Sequence, residues 1–268
     1  MTDAAYRGAH IQLEVVSLTA GESRIVASLP GQEAALVLLE GSVAFDGEPM
    51  KRTSVFEQRA SAVYLPPGSS VTIDASSEVE LALAATLGYQ LASPSNTSTS
   101  NTSTSNTSTS NPSTSNPSTA GAPTVVHPDD VVVHPRGRPG WQRDVHDVIA
   151  DRVSAHRLLV GETFNEPGQW SSFPPHKHDG GDGEPVLEEV YYYRFDRPDG
   201  FGFQGVYETD GDARAVFLRH GSIVGIPRGY HPVCAAPGYR LYYLWALAGE
   251  HRQLVMHEDP AHRWLDER

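Results

Sequence analysis

Apolar and polar positions follow one another in short runs over residues 10–18, 23–29, 34–45, 62–65, 70–73 and 79–87, and again over residues 154–164, 187–195, 201–209, 213–219, 222–226 and 240–246. Runs of this length, rich in Val, Ile, Leu, Tyr and Phe and bounded by Gly, Pro and acidic residues, predict strands. Helical periodicity is scarce, and its best instance is a short stretch at residues 259–265. Two clusters of strands, each about the size of a small domain, predict an all-β protein built as two antiparallel barrels. A short internal match supports the duplication. Val63-Tyr64-Leu65-Pro66-Pro67-Gly68 and Val224-Gly225-Ile226-Pro227-Arg228-Gly229 are both apolar runs ending in a Pro-X-Gly turn.

Between the clusters the pattern stops. From Asn96 the chain repeats Asn-Thr-Ser-Thr-Ser every five residues, drifting into Asn-Pro-Ser-Thr-Ser from Asn111. Such a segment has no charge, no aromatic ring and almost no apolar surface, so burial cannot offset the entropy of ordering it, and a solvated, disordered linker is expected. The expected organisation is a metal-free barrel over residues 1–92, the linker over 93–124 and a second barrel over 125–268.

Charge and cysteine content narrow the function. With 33 acidic against 20 basic side chains, a formal charge of −13 and no basic block, the chain is not expected to bind nucleic acid or an anionic membrane surface. Cys234 is the single cysteine, which leaves no intramolecular disulfide and no Cys-rich zinc site. The N-terminal residues lack the basic and apolar pattern of a secretory signal, and no apolar run is long enough to span a bilayer, so a cytoplasmic protein is expected.

Histidine placement separates the halves. Eleven of the twelve histidines lie at or after position 127, and His10 is the exception. His176 and His178, two apart on an extended segment, face the same side. Glu189, Tyr191 and Tyr193 share a face in the same way, and the Pro-X-Gly turn leads into His231. An isolated His-X-His is most often surface decoration, and a tyrosine run is most often strand packing. The order His-X-His, glutamate opening a strand, then a turn histidine is what points to a metal site, with three imidazoles and one carboxylate suiting a divalent first-row ion. That order resembles the two motifs of the cupin superfamily.

Longer strings narrow the resemblance. Pro175-His176-Lys177-His178-Asp179, Leu187-Glu188-Glu189-Val190-Tyr191, Gly229-Tyr230-His231-Pro232-Val233 and the stretch from Ala236 to Trp245 are similar to the 5-deoxy-glucuronate isomerases of bacterial myo-inositol breakdown. The resemblance implies a bicupin whose C-terminal barrel holds one divalent ion through His176, His178, Glu189 and His231. Zinc is the first expectation, with iron, manganese or nickel as alternatives, and Glu188 is the rival carboxylate. The substrate implied is a small carboxylated sugar, and a homo-oligomer is expected.

The implied reaction interconverts an aldehyde and a ketone through removal of a proton next to a carbonyl. Glu166, Glu188 and Asp179 are the candidate proton carriers, and Arg143, Lys177 and Arg194 the candidate partners of the substrate carboxylate. An iron-dependent dioxygenase and a non-catalytic sugar-acid binding cupin are the alternative readings of the same ligand set.

Overall fold

The computed structural model describes residues 5–87, 89–92, 121–181 and 184–265. Most of the expected linker, residues 93–120, lies outside them. The first half is antiparallel throughout, in the order Ala5–Arg7, Gln12–Leu18, Val79–Ala85, Ala34–Phe45, Ser70–Ala75, Ser23–Ser28 and Tyr89–Ala92. The long strand Ala34–Phe45 is its corner. Residues Ala34 to Val37 pair with Ala62–Leu65, while Val43 to Phe45 pair with Ser70–Ala75, and the register slips between Leu38 and Glu40 where the strand turns from one sheet face to the next. The interior is filled by apolar side chains, among them Leu36, Leu38, Phe45, Val63, Ile73 and Leu83, and among the described residues no histidine of this half is buried.

The second half pairs Val132–Arg136, Arg143–Ile149, Leu158–Asn165, Leu241–Gly249 and Glu184–Phe195 into one antiparallel sheet, with Asp179–Gly181 and Ile223–Ile226 added alongside Glu184–Phe195. A second sheet of Trp170–Ser171, Val233–Ala235, Phe201–Tyr207 and Ala213–Arg219 closes over it. The C-terminal helical signal is a 3-10 helix, Pro260–Leu265.

The two halves share a core, which explains why several strands are buried on both faces. In Ala34–Phe45, Ala34, Leu36 and Leu38 face the first barrel's interior, whereas Ala35, Val37 and Leu39 face the other half. In Leu241–Gly249 every residue is buried: Leu241, Tyr243, Trp245 and Leu247 point into the second barrel, and Tyr242, Leu244, Ala246 and Ala248 point at the first. Strict two-residue alternation in the backbone makes each such strand serve two cores.

Buried charges cross the same boundary. Arg52 and Glu162, both 0% exposed, pair at 2.7 Å and 2.9 Å, and Glu162 also accepts the Tyr242 hydroxyl at 2.8 Å. Glu33 accepts the backbone N–H groups of His156, Arg157 and Leu158 and the Tyr64 hydroxyl. Arg52 sits in one of the strands that the pattern of apolar runs left unmarked. Glu48–Arg52, Val132–Arg136 and Arg143–Ile149 are such strands, too polar to read as core until their partners are in place. One boundary also differs from expectation. Thr124–Val126 pairs with Tyr64 to Ala62 of the first half, because Val126 is buried in the shared core, so Val125 and Val126 extend the first sheet and not the second barrel.

Candidate metal centre

The strand Glu184–Phe195 sets the site. Alternation sends Glu189, Tyr191 and Tyr193 into the second barrel and Glu188, Val190 and Tyr192 toward the first half. His176 and His178 arrive on the short strand His176–Lys177 and the residue after it, which is held by His257–Glu258. His231 follows a turn at Gly229, whose φ of 93° is left-handed and whose hydrogen, replaced by a Cβ, would lie 2.8 Å from the Tyr207 carbonyl. Glycine is therefore required to swing His231 inward.

One potential ligand atom from each of His176, His178 and His231 falls within 4.8 Å of the others. His178 Nδ1 is 2.8 Å from the Val255 carbonyl and His231 Nδ1 is 2.9 Å from the Gly229 carbonyl, so in both rings Nε2 is left for the centre. Glu189 Oε2 lies 3.1 Å from His231 Nε2 and 4.0 Å from His178 Nε2. The approach to His231 lacks hydrogen-bond alignment, and both Glu189 Oε2 and His231 Nε2 are buried without a hydrogen-bond partner. Buried polar atoms are rarely left so.

Electrostatics point the same way. Burial, reinforced by the neighbouring His231 and His178, holds His176 well below the usual imidazole range, and burial also lowers His178. Burial opposes protonation of His231 as well, but there the charge of Glu189 outweighs it and its pKa is raised. Two neutral imidazoles and a carboxylate–imidazole pair that attracts positive charge fit a divalent cation held by His176, His178, His231 and Glu189.

A cavity of about 90 Å³ opens beside these residues, lined also by Arg143, Thr163, Ser172, Tyr191, Tyr243, Trp245, Leu254 and Met256. Burial raises the Tyr191 and Tyr243 pKa values, so both hydroxyls keep their protons, and Tyr191 lies 3.2 Å from the Ser172 hydroxyl. Arg143 donates to the carbonyls of Trp141 and Phe173, neither of which neutralises its charge, and burial lowers its pKa.

The other candidates lie elsewhere. Glu188 accepts the Tyr6 hydroxyl at 2.7 Å and the His10 N–H at 2.6 Å, on the face opposite Glu189. Arg194 pairs with Glu80 and Glu40 of the first half. Lys177 and Asp179 pair with each other at 2.6 Å, and the second Asp179 oxygen accepts the Gly229 N–H at 3.1 Å. Glu166, 68% exposed, is 3.4 Å from Arg240 on the outer surface. Only Arg143 of these six lines the cavity, because the alternation that turns His176, His178 and Glu189 inward turns Lys177 and Glu188 out. Tyr243 and Trp245 follow from the same alternation. Leu254 and Met256 have no such signal, since they sit in an irregular segment beyond every motif.

The family model described as "KduI/IolB family" matches residues 1–112 and 89–265. The chain belongs to the KduI/IolB family. It is 34% identical to the 5-deoxy-glucuronate isomerase of Bacillus licheniformis, over 97% of this chain and 89% of that protein, and 32% identical to that of Geobacillus kaustophilus, over 96% and 86%. Within the family, an IolB-like protein from Salmonella typhimurium has been solved. It superposes with a TM-score of 0.78 at 31% identity, covering 96% of this chain and 90% of that one. An oxalate decarboxylase from Lactobacillus farciminis superposes with a TM-score of 0.63 at 14% identity, a likeness of fold alone that covers 97% and 82%. The KduI/IolB chain has no helix long and apolar enough to cross a membrane among its described residues.

Proposed function

We propose that the chain is a metal-dependent aldose–ketose isomerase that converts 5-deoxy-D-glucuronate to 5-dehydro-2-deoxy-D-gluconate in inositol breakdown. The observation that carries the reading is the convergence of His176, His178 and His231 within 4.8 Å of one another beside a cavity that is lined by His176, His178, Glu189 and the half-buried Arg143, whose guanidinium donates to two neutral carbonyls. The relatives named for this isomerisation span nearly the whole chain.

His176, His178, His231 and Glu189 would hold a divalent ion, zinc by the family resemblance, which would supply Lewis-acid polarisation of the substrate. The chain's residues do the rest. Arg143 receives the substrate carboxylate, exchanging two neutral carbonyl partners for a charge-assisted pair. Glu189 is the one carboxylate among the described residues that line the cavity, and its oxygen not given to the ion would carry the proton between adjacent carbons. Tyr191 and Tyr243, held protonated by burial, donate to substrate oxygens. Tyr191, Tyr243 and Trp245 exclude water from the reacting carbons.

Purified protein is expected to isomerise 5-deoxy-D-glucuronate without oxygen or nicotinamide and to lose both metal and activity in the His176→Ala/His178→Ala variant. Arg143→Ala is expected to lose far more activity on the acid than on the neutral deoxy-sugar. Full metal occupancy in the double-histidine variant, or metal-dependent oxygen uptake in place of isomerisation, would overturn the reading.

A further inference from the structure

The segment between Leu241–Gly249 and His257–Glu258 is irregular, yet it is tied to the centre by one bond, from His178 Nδ1 to the Val255 carbonyl at 2.8 Å. Leu254 and Met256, on either side of that carbonyl, both line the cavity. Their side chains are 45% and 56% exposed, among the largest exposed apolar groups of the protein. With Val145, Trp245 and Leu247 they supply the apolar part of the cavity's lining, while His176, His178, Glu189 and Arg143 supply polar groups. Apolar side chains left open to solvent on the rim of a binding cavity are stabilised when a ligand's own apolar surface covers them.

Resting on the isomerase reading above, the geometry points to Leu254 and Met256 as the residues that select for the missing hydroxyl of the substrate. A 5-deoxy-uronate carries a methylene next to its carboxylate. With the carboxylate on Arg143 and the reacting carbons at the histidine cluster, that methylene is the one stretch of the sugar acid with no oxygen to pair. The Leu254–Met256 strap offers it a wall with no side-chain hydrogen-bonding group. D-glucuronate, which differs by a hydroxyl on that carbon, would bury the hydroxyl against hydrocarbon without a partner. The anchoring of Val255 on a ligand histidine holds the wall in register with the centre. Rejection by an apolar wall is moderate, about 100-fold for an added hydroxyl, because the hydroxyl is merely unpaired and clashes with nothing.

The test compares kcat/KM for 5-deoxy-D-glucuronate and D-glucuronate in the metal-loaded parent, in Met256→Gln and in Leu254→Gln/Met256→Gln. The free-aldehyde fraction of each sugar cancels when the variant's preference is divided by the parent's. The parent is expected to prefer the deoxy acid by about 100-fold, and the variants to reduce that preference by about tenfold or more. Met256→Leu, equally apolar, keeps it. Binding of the two acids followed through tryptophan fluorescence, with Trp245 on the cavity wall, reads the same preference without turnover. Metal content is measured for each variant, and Met256→Gln, at a half-exposed position, serves if the double variant does not fold. A preference unchanged in glutamine variants that still bind metal and convert the deoxy acid overturns the inference alone. A parent that converts neither acid overturns the isomerase reading, and the inference with it.

Discussion

Replacing Arg52 with Met would leave Glu162 as a buried carboxylate between the two halves, stripped of its bidentate partner and holding only the Tyr242 hydroxyl. The Leu38 and Gln58 carbonyls that accept from the guanidinium would lose that donor as well. Removing one member of a fully buried pair costs about 3–5 kcal/mol, chiefly the penalty of the charge left behind. Against a typical total of roughly 5–15 kcal/mol this is a large fraction of the stability. In the double variant Arg52→Met/Glu162→Met no charge remains to be desolvated; the two carbonyls lose their donor in both variants and cancel in the comparison, and the Tyr242 hydroxyl, orphaned only in the double variant, costs about 1–3 kcal/mol. The double variant is therefore expected to be more stable than Arg52→Met alone by about 2 kcal/mol, which follows from those two ranges. Urea unfolding of the metal-loaded protein, read at constant m-value, measures the cycle. Thr163 faces the cavity while Glu162 faces the interface, so metal content is expected to be unchanged. An Arg52→Met loss below about 1 kcal/mol, or a double-variant loss equal to the sum of the two single losses, would refute the view that the cost is an unpaired buried charge.

Two further outcomes are expected. Asp179→Asn loses the carboxylate that ties Lys177 to the Gly229 N–H, loosening the turn that carries His231; metal affinity should fall about tenfold, the lower end for residues that orient ligands, and a metal titration giving the parent's affinity would contradict this. His146 and His220 are held below the ordinary value of 6.5, in both cases mainly by burial. The unfolded chain then binds their protons first, so their contribution is whole above 6.5 and is lost as pH falls from there toward the lower folded values. The unfolding midpoint should drop between about pH 7.5 and 5.5, and less steeply in His146→Phe. An identical pH slope in that variant would remove His146 from the account.

The all-β character was legible in the sequence because strand periodicity is a local matter, whereas the candidate ligand set was drawn from the order of its motifs and the family resemblance. Strand periodicity places His176 with His178, and Glu189 with Tyr191 and Tyr193, on shared faces before any partner strand is known. The choice between Glu188 and Glu189 was half legible: adjacent residues on a strand must diverge, but which one enters the barrel depends on what covers each face. The structure answers with Tyr6 and the His10 N–H on Glu188, contacts spanning 182 and 178 residues of chain. Arg194 shows the same limit. It reads as a substrate clamp in isolation and becomes an interface residue once Glu80 and Glu40 are opposite it. Leu254 and Met256 left no periodic trace at all, since an irregular segment takes its course from the surface it lies on. Local alternation thus determined which side chains travel together. Only the packing of one half against the other decided which face lines the histidine cavity and which became a shared core, because desolvation and charge pairing are settled by groups distant in sequence.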